Sequence, residues 1–254
     1  MRRPLRATAL VAAALSVALI APVSSTASAD APRRGVDTAP PAEGSCHDLT
    51  YAEGLNAADP DPAVDCTEAH TSVTLAVVKF AKAPDWSDVG ALYRRSQEKC
   101  VRGEILVFGA EPKALQSSAY SEWLFVPSKA QRDAGAKWVR CDIALAEGKT
   151  LQPLPTDGPP QLGPLPLDDS LARCRAGKPL GFLVVACSGP HTQGAAPLIK
   201  RPGGTYPGTK RMHAWTYQRC HAKLGRSLGV YEWPTKPMWR HGLRFSTCFR
   251  KTRS

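Results

Sequence analysis

Two segments decide the fold of this chain: VDCTEAHT at residues 64–71 and VACSGPHT at residues 185–192. Both follow the pattern Val-x-Cys-x-x-x-His-Thr. The shared cysteines and histidines are Cys66, His70, Cys187 and His191. A pattern that occurs twice indicates that the chain contains the same structural unit in two copies.

The agreement extends beyond these segments to two further cysteines in each unit. The next cysteine follows 34 residues after Cys66 and 33 residues after Cys187. A closing cysteine comes later, and Pro, Gly and an aromatic residue stand fourteen, six and three residues before it. The matched residues are Pro127, Gly135, Trp138 and Cys141 in the first unit and Pro234, Gly242, Phe245 and Cys248 in the second. These agreements predict a tandem duplication.

Each unit contains four of the eight cysteines. An even number of cysteines in an exported chain indicates disulfide bonds, because an oxidising compartment keeps thiols paired. Four cysteines allow three pairings, so the sequence alone does not fix the connectivity. We expect first-to-second and third-to-fourth bonds, which would join neighbouring strands and tie a helix end to the last strand. The expected bonds are Cys46–Cys66, Cys100–Cys141, Cys174–Cys187 and Cys220–Cys248.

The N-terminus predicts export. Three arginines among the first six residues precede a long uncharged run, and a small-residue triplet then ends at Ala29. This is the pattern of a signal peptide over residues 1–29, cleaved after Ala29. A retained membrane anchor is the alternative, although the alanine-rich run and the cleavage pattern favour removal. Residues 30–44 would follow as a flexible segment, and we expect a secreted, extracytoplasmic protein without a stable membrane span.

The two halves have opposite charge. Residues 30–169 contain 14 Lys and Arg against 21 Asp and Glu, whereas residues 170–254 contain 16 against the single acid Glu232. The pattern predicts an acidic module over residues 45–150 and a basic module over 170–254. The proline-rich residues 151–169 between them predict a stiff linker or, alternatively, an ordered strap on one module. The asymmetry predicts an anionic partner for the second half, or docking of the two halves on each other or on a partner.

The coarse pattern predicts the same secondary structure in both modules. In the first we expect strands at 71–80, 123–126 and 138–145, with a helix at 87–102 that is capped by Asp85 or Ser87 and has Cys100 near its end. In the second we expect strands at 182–186, 195–199, 230–233 and 243–249, with a helix at 209–224. The predicted fold class is therefore α+β: two small tandem disulfide-bonded modules, each an antiparallel sheet with one packed helix.

With these motifs placed, the chain resembles the septum formation domain family of actinobacterial cell-envelope proteins. The resemblance rests on Gly44-Ser45-Cys46, the segment at 64–70, Cys100 and the closing Pro127, Gly135, Trp138 and Cys141. The second unit fits the same outline from Cys174 to Cys248 but lacks the opening glycine, and residues 192–194 lack the acidic residue and valine that often follow the histidine. The resemblance implies work at the division-site envelope and supplies no catalytic residues.

The Cys-x-x-x-His pairs are candidate zinc ligands, because zinc takes about four sulfur and nitrogen ligands. We instead expect the cysteines to be oxidised and His70 and His191 to bind nearby backbone groups, with no metal and no cofactor. Because every cysteine has a counterpart and no Gly-x-Ser-x-Gly elbow occurs, the sequence predicts no catalytic residues. An envelope hydrolase is the enzymatic alternative.

Cations interleave with aromatic residues in the basic module, a composition that suits anionic or sugar-bearing polymers. The candidate polyanion-binding residues are Lys200, Arg201, Lys210, Arg211, Arg219, Lys223 and Arg240. The interleaved aromatic residues include Trp215, Tyr217, Trp233, Trp239 and Phe249, and the alternative is that they form the core beneath a solvated basic face. The expected partner is an anionic cell-wall polymer or an envelope protein. Single-stranded nucleic acid would suit the same composition, but export argues against it.

Overall fold

A computed structural model describes residues 35–58, 62–109, 111–178, 183–196 and 198–252. The signal peptide predicted over residues 1–29 lies outside this part of the chain. Among the described residues, none of the helices has the length and apolar character needed to cross a membrane.

The first module is an antiparallel sheet with helices. Its elements are β1 (Cys46–His47), α1 (Tyr51–Gly54), β2 (Ser72–Lys79), α2 (Val89–Phe108), α3 (Pro112–Ser117), β3 (Tyr120–Phe125), α4 (Lys129–Asp133), β4 (Trp138–Glu147) and β5 (Thr150–Leu151). The strand order is β1-β2-β4-β3, and β5 pairs with the end of β4.

The second module is also an antiparallel sheet with helices. Its elements are β6 (Arg173–Ala176), β7 (Leu183–Ala186), β8 (Gln193–Ala195), β9 (Ile199–Lys200), α5 (Thr209–Leu224), β10 (Leu228–Glu232), α6 (Lys236–Arg240) and β11 (Phe245–Lys251). The strand order is β10-β11-β8-β6-β7, and β9 also pairs with β11. Strands at matching places in the two modules therefore follow the same order. The predicted α+β class, with antiparallel sheets and disulfide bonds, is confirmed.

Each module contains two disulfide bonds, and all four bonds join the expected cysteines: Cys46–Cys66, Cys100–Cys141, Cys174–Cys187 and Cys220–Cys248. In each module the second bond ties the long helix to the closing strand. The first bond differs from expectation in one respect, because Cys66 and Cys187 lie in turns rather than in strands. It therefore ties the opening strand of each module to a turn.

Helix α2 corrects the sequence prediction at both ends. The side chain of Asp88 caps it by accepting a hydrogen bond from the Ala91 amide at 2.7 Å. Asp85 instead accepts hydrogen bonds from the amide and hydroxyl of Ser87 ahead of the helix. The helix continues to Gly109, whose left-handed φ of 54° ends it. Cys100 consequently lies within the helix and not near its end.

Two segments outside the regular elements lie against the first module. The carbonyls of Asp37 and Thr38 accept hydrogen bonds from Gln131 and from the Trp138 indole, within the stretch that the sequence assigns to a flexible segment. The proline-rich stretch is packed against the protein, as the strap alternative predicts, and is not an extended linker. Its leucines Leu154, Leu162 and Leu167 are buried in the main hydrophobic cluster, and the Leu154 amide donates to the His70 carbonyl.

The two modules share a hydrophobic core. The same cluster contains Leu115 and Tyr120 from the first module and Ala186 and Leu243 from the second. The Gln116 side chain bonds both the amide and the carbonyl of Phe245, at 3.0 and 2.9 Å. From Val36 onward the chain forms one compact unit.

Candidate functional site

The two long helices are covered to different extents. On α5 the buried residues are Met212, Thr216 and Cys220, a single stripe at four-residue spacing. On α2 they include Ser96 and Cys100, and also Gln97 and Val101 on an adjoining stripe. Helix α5 is therefore free along most of its surface, and five of the seven predicted cations lie on it or beside it.

A tryptophan between two arginines forms the centre of the basic surface. The guanidinium carbons of Arg201 and Arg219 lie 5.3 and 5.9 Å from the ring centre of Trp215. Cations at this distance from an indole are within the range of cation–π attraction. Arg201 also contacts the Met212 sulfur at 3.5 Å, which helps to hold it beside the helix. Arg211 is one helical turn before Trp215, so it adds a third cation to this stripe.

The first turn of α5 concentrates positive charge without compensation from an acid. Lys210 and Arg211 are exposed there, and the turn contains no acidic residue. The N-cap, Gly208, has no side chain to bind the free amides. The helix dipole also places partial positive charge at this end, so a bound anion would be stabilised by the amides and the two cations together. We call the surface formed by Arg201, Lys210, Arg211, Trp215 and Arg219 the basic face.

The other three predicted cations are not part of the basic face. Lys200 lies 5.7 Å from the ring centre of Phe245. Lys223 is exposed in the last turn of α5, where a cation is favourable to the helix dipole. Arg240 donates a hydrogen bond to Glu98 of the first module at 3.1 Å, and His241 binds the same carboxylate. Arg240 is therefore part of the contact between modules.

A second stripe of α5 is aromatic. The ring centres of Tyr217 and Tyr231 are 5.7 Å apart, and those of His213 and Trp233 are 4.8 Å apart. The Tyr231 hydroxyl and His213 Nε2 are 2.6 Å apart, which fixes the two rings relative to each other. Trp239 and Phe249, by contrast, are buried, as the core alternative expects. Offset rings partly open to solvent can stack against sugar rings or other flat apolar faces.

A cleft that the sequence does not predict lies between the two modules. It encloses about 330 Å³ and is lined by α2 and β3 of the first module and by β6 and β10 of the second. Its charged groups are Glu104, Glu122, Arg173, Arg175 and Glu232, with Tyr93 and Gln97 beside them. We call it the inter-module cleft.

The arginines of the cleft are engaged by protein groups. Arg173 donates to the carbonyls of Ser118 and Tyr120 at 2.7 and 3.1 Å and to the Glu232 carboxylate at 3.1 Å. Arg175 forms an ion pair with the same carboxylate. Glu232, the only acid of the second half, therefore holds two arginines at the boundary between the modules.

Burial favours the protonated form of the two other carboxyls. Burial raises the pKa of Glu104 to about 7, although the positive charge of Arg173 opposes the rise. Burial and the nearby Glu104 raise the pKa of Glu122 to about 8. The Oε1 atom of Glu122 is buried and has no hydrogen-bond partner within the described ranges.

The histidines of the pattern that the two modules share have structural contacts in both. His70 Nδ1 donates to the Glu68 carbonyl and His191 Nδ1 to the Gly189 carbonyl, both at 2.9 Å. These are the nearby backbone contacts expected from the sequence. The part of the chain that the structure describes contains one group with metal-ligand spacing, formed by Glu122 and two cysteines. Those cysteines, Cys100 and Cys141, are joined in a disulfide bond, so their sulfurs are not thiolates.

No family model, curated protein or solved structure matches the chain. The residues and their geometry are therefore the basis for any functional conclusion.

Proposed function

We propose that this chain is a secreted, non-enzymatic binding protein of the cell envelope, and that the basic face of its second module contacts an anionic glycopolymer. The observation that carries the proposal is Trp215 between Arg201 and Arg219. Guanidinium groups bind phosphate and carboxylate oxygens well, and an indole ring adds a stacking surface for a sugar.

Three further features support this assignment. The exposed cations of the first α5 turn lie at the end of the helix where an anion is favoured. The aromatic stripe of His213 and Tyr217 extends along the same helix. Four disulfide bonds are typical of proteins that fold in an oxidising compartment. The resemblance to the septum formation domain family is consistent with an envelope partner, and the shared strand order supports a tandem duplication.

Cosedimentation of the mature chain with purified cell wall tests the proposal. We expect Lys210→Ala with Arg211→Ala to weaken retention about tenfold or more, because each lost charge-assisted contact contributes about 1 kcal/mol. The matched control is Lys82→Ala with Lys149→Ala, which removes two exposed cations from the first module. Retention by the control should equal that of the unmodified chain. Added salt should release the control and the unmodified chain alike, because it screens exposed charges.

Two results would reject the basic face. One is equal retention of the two double variants, which would leave only general attraction to a charged polymer. The other is retention that high salt does not reduce, since contacts among exposed charges are screened. If the chain binds an envelope protein and does not bind wall material, that result would support the alternative function, which is binding to a protein partner.

A further inference from the structure

When all its charged groups are ionised, the inter-module cleft has one more negative charge than positive charges, and one bound cation would neutralise it. Arg173 and Arg175 contribute two positive charges, and Glu104, Glu122 and Glu232 contribute three negative charges when ionised. The arginines already bind Glu232 and backbone carbonyls. What is left is two partly buried carboxyls whose ionisation a further positive charge would favour.

The free acceptor points to a ligand that donates hydrogen bonds. Oε1 of Glu122 is buried and has no partner among the described residues. A buried oxygen without a hydrogen bond costs stability, and a donor that enters the cleft would remove this cost. Tyr93 and Gln97 line the same space, and the Gln97 amide donates to the Tyr93 hydroxyl at 3.2 Å.

An apolar groove continues from the cleft to the surface. The groove encloses about 550 Å³ and shares Tyr93, Ser121, Glu122, Arg175 and Val184 with the cleft. Four of its lining side chains are large, hydrophobic and between 37 and 60% exposed. These are Leu55, Val89, Tyr93 and Leu183. Exposed apolar side chains gathered in one concave place mark a binding surface more often than scattered ones do.

These observations select an organic cation over a metal ion. The carboxylates of Glu104, Glu122 and Glu232 do not form a metal-ligand group within the described residues. A divalent ion would also lie close to two arginines, which repel it. A primary ammonium matches the single missing charge and offers three donors. An aliphatic stem on that ammonium would match the apolar groove.

We propose that the inter-module cleft binds a primary ammonium group carried on an apolar stem, with the ammonium at Glu104 and Glu122 and the stem in the groove. The site is separate from the basic face and takes a ligand of the opposite charge. Binding ionises the two carboxyls, so the protein releases protons as the ammonium enters.

Titration of the mature chain with hexylammonium tests this proposal by calorimetry. Hexanol and hexanoate, which share the stem and differ in the head group, are the comparison ligands. We expect millimolar or tighter binding of hexylammonium and at least about tenfold weaker binding of the other two. Between about pH 6 and pH 9 the affinity for hexylammonium should rise, because the amine stays protonated while the carboxyls lose their protons.

Variants locate the site. Glu122→Gln keeps the shape of the side chain and removes its charge, so hexylammonium should bind about tenfold more weakly. Glu68→Gln, at an exposed acid outside the cleft, should bind as the unmodified chain does. Unchanged thermal melting at about pH 5 shows that each variant is folded. Equal binding of hexanol and hexylammonium, absence of binding, or full affinity in Glu122→Gln would overturn the proposal; none of these results bears on wall binding by the basic face.

Discussion

Helices α2 and α5 occupy the same place in their modules and have different surroundings. Each is tied to its closing strand by a disulfide bond, through Cys100 in α2 and Cys220 in α5. Counted from that cysteine, Tyr93, Gln97 and Val101 of α2 correspond to His213, Tyr217 and His221 of α5. The α2 residues line the inter-module cleft, whereas the α5 residues are exposed and aromatic.

The position of each helix relative to the other module, and not the module fold, therefore decides which of its side chains are covered. The second module covers one stripe of α2 and turns it into the wall of a cleft. Nothing within the described residues covers the matching stripe of α5. One helix therefore offers an enclosed site with raised carboxyl pKa values, and the other offers an open face with cations and rings.

The largest effect is expected where α2 touches its sheet most closely. A Cβ atom at Gly103 would lie 2.5 Å from the backbone oxygen of Leu75, which cannot move without moving β2. Gly103→Leu should therefore destabilise the protein by about 3 kcal/mol and lower its melting temperature by roughly 6–12 °C. The matching residue of α5 is the exposed Lys223, so Lys223→Leu should change stability by less than about 0.5 kcal/mol.

Thermal melting of the two variants checks this contrast. Similar losses at both positions would mean that α5 is as closely packed as α2, and the comparison between the helices would be wrong.

A smaller, pH-dependent effect is expected in the cleft. The pKa of Glu122 is about 8 in the folded protein against an ordinary value of 4.5. The folded state therefore holds the proton more tightly, and its stabilisation is complete below about pH 4.5 and lost as the pH rises through 8. Glu122→Gln cannot ionise, so it should be more stable than the unmodified chain at about pH 9 and nearly equally stable at about pH 5. The full pKa rise corresponds to about 5 kcal/mol, and solvent screening of this half-buried side chain reduces the expected gain to on the order of 2 kcal/mol.

Melting temperatures of Glu122→Gln and Glu68→Gln across this pH range measure the effect. The control should follow the unmodified chain at every pH. A Glu122→Gln curve with the same pH dependence as the unmodified protein would contradict the raised pKa. The second module has no equivalent group, because Leu224 occupies the α5 position that matches Glu104.

The smallest effect is expected at the ion pairs between the modules. Glu98 of α2 accepts hydrogen bonds from Arg240 and His241, and these groups are largely exposed. Glu98→Gln should cost about 0.5 kcal/mol at low salt and less at high salt, because exposed pairs are screened. Asp133→Asn removes the exposed Lys129–Asp133 pair within one module and should have a similarly small effect. A much larger loss for Glu98→Gln would show that charge, rather than the shared core, holds the modules together.

The sequence was most informative where the pattern is local. The predicted helix at 209–224 has the observed bounds, and the bond between Cys220 and Cys248 is one of the expected pairings, although the sequence left three pairings open. The predicted helix at 87–102 ends too early, because a glycine such as Gly103 is unfavourable inside a helix and favours an end there. In the structure the helix continues through Gly103, because only a residue without a side chain fits against β2 at that point.

The two candidate sites also differ in whether their residues are close together in the sequence. Cations and rings close together in sequence, such as Arg211, Trp215 and Arg219, predicted the basic face. Arg173 and Arg175 stand two residues apart on a strand and so share a face, which was the only local signal for the cleft. Their partners are distant in sequence: Tyr120 for Arg173, and Glu232 for both.

Local sequence patterns specify the secondary structure of each module. The informative patterns are the spacing of the cysteines, the histidine after each turn, and the glycine before each closing strand. At Gly135 and Gly242 the reason is local, since φ values of 100° and 86° are accessible to glycine and costly for other residues. Tertiary structure alone decided that the second sheet would lie against α2 and that α5 would stay open. That arrangement depends on apolar area and buried charge from both halves, such as Leu115 with Leu243 and Glu104 with Arg173, and no pattern within one module predicts it.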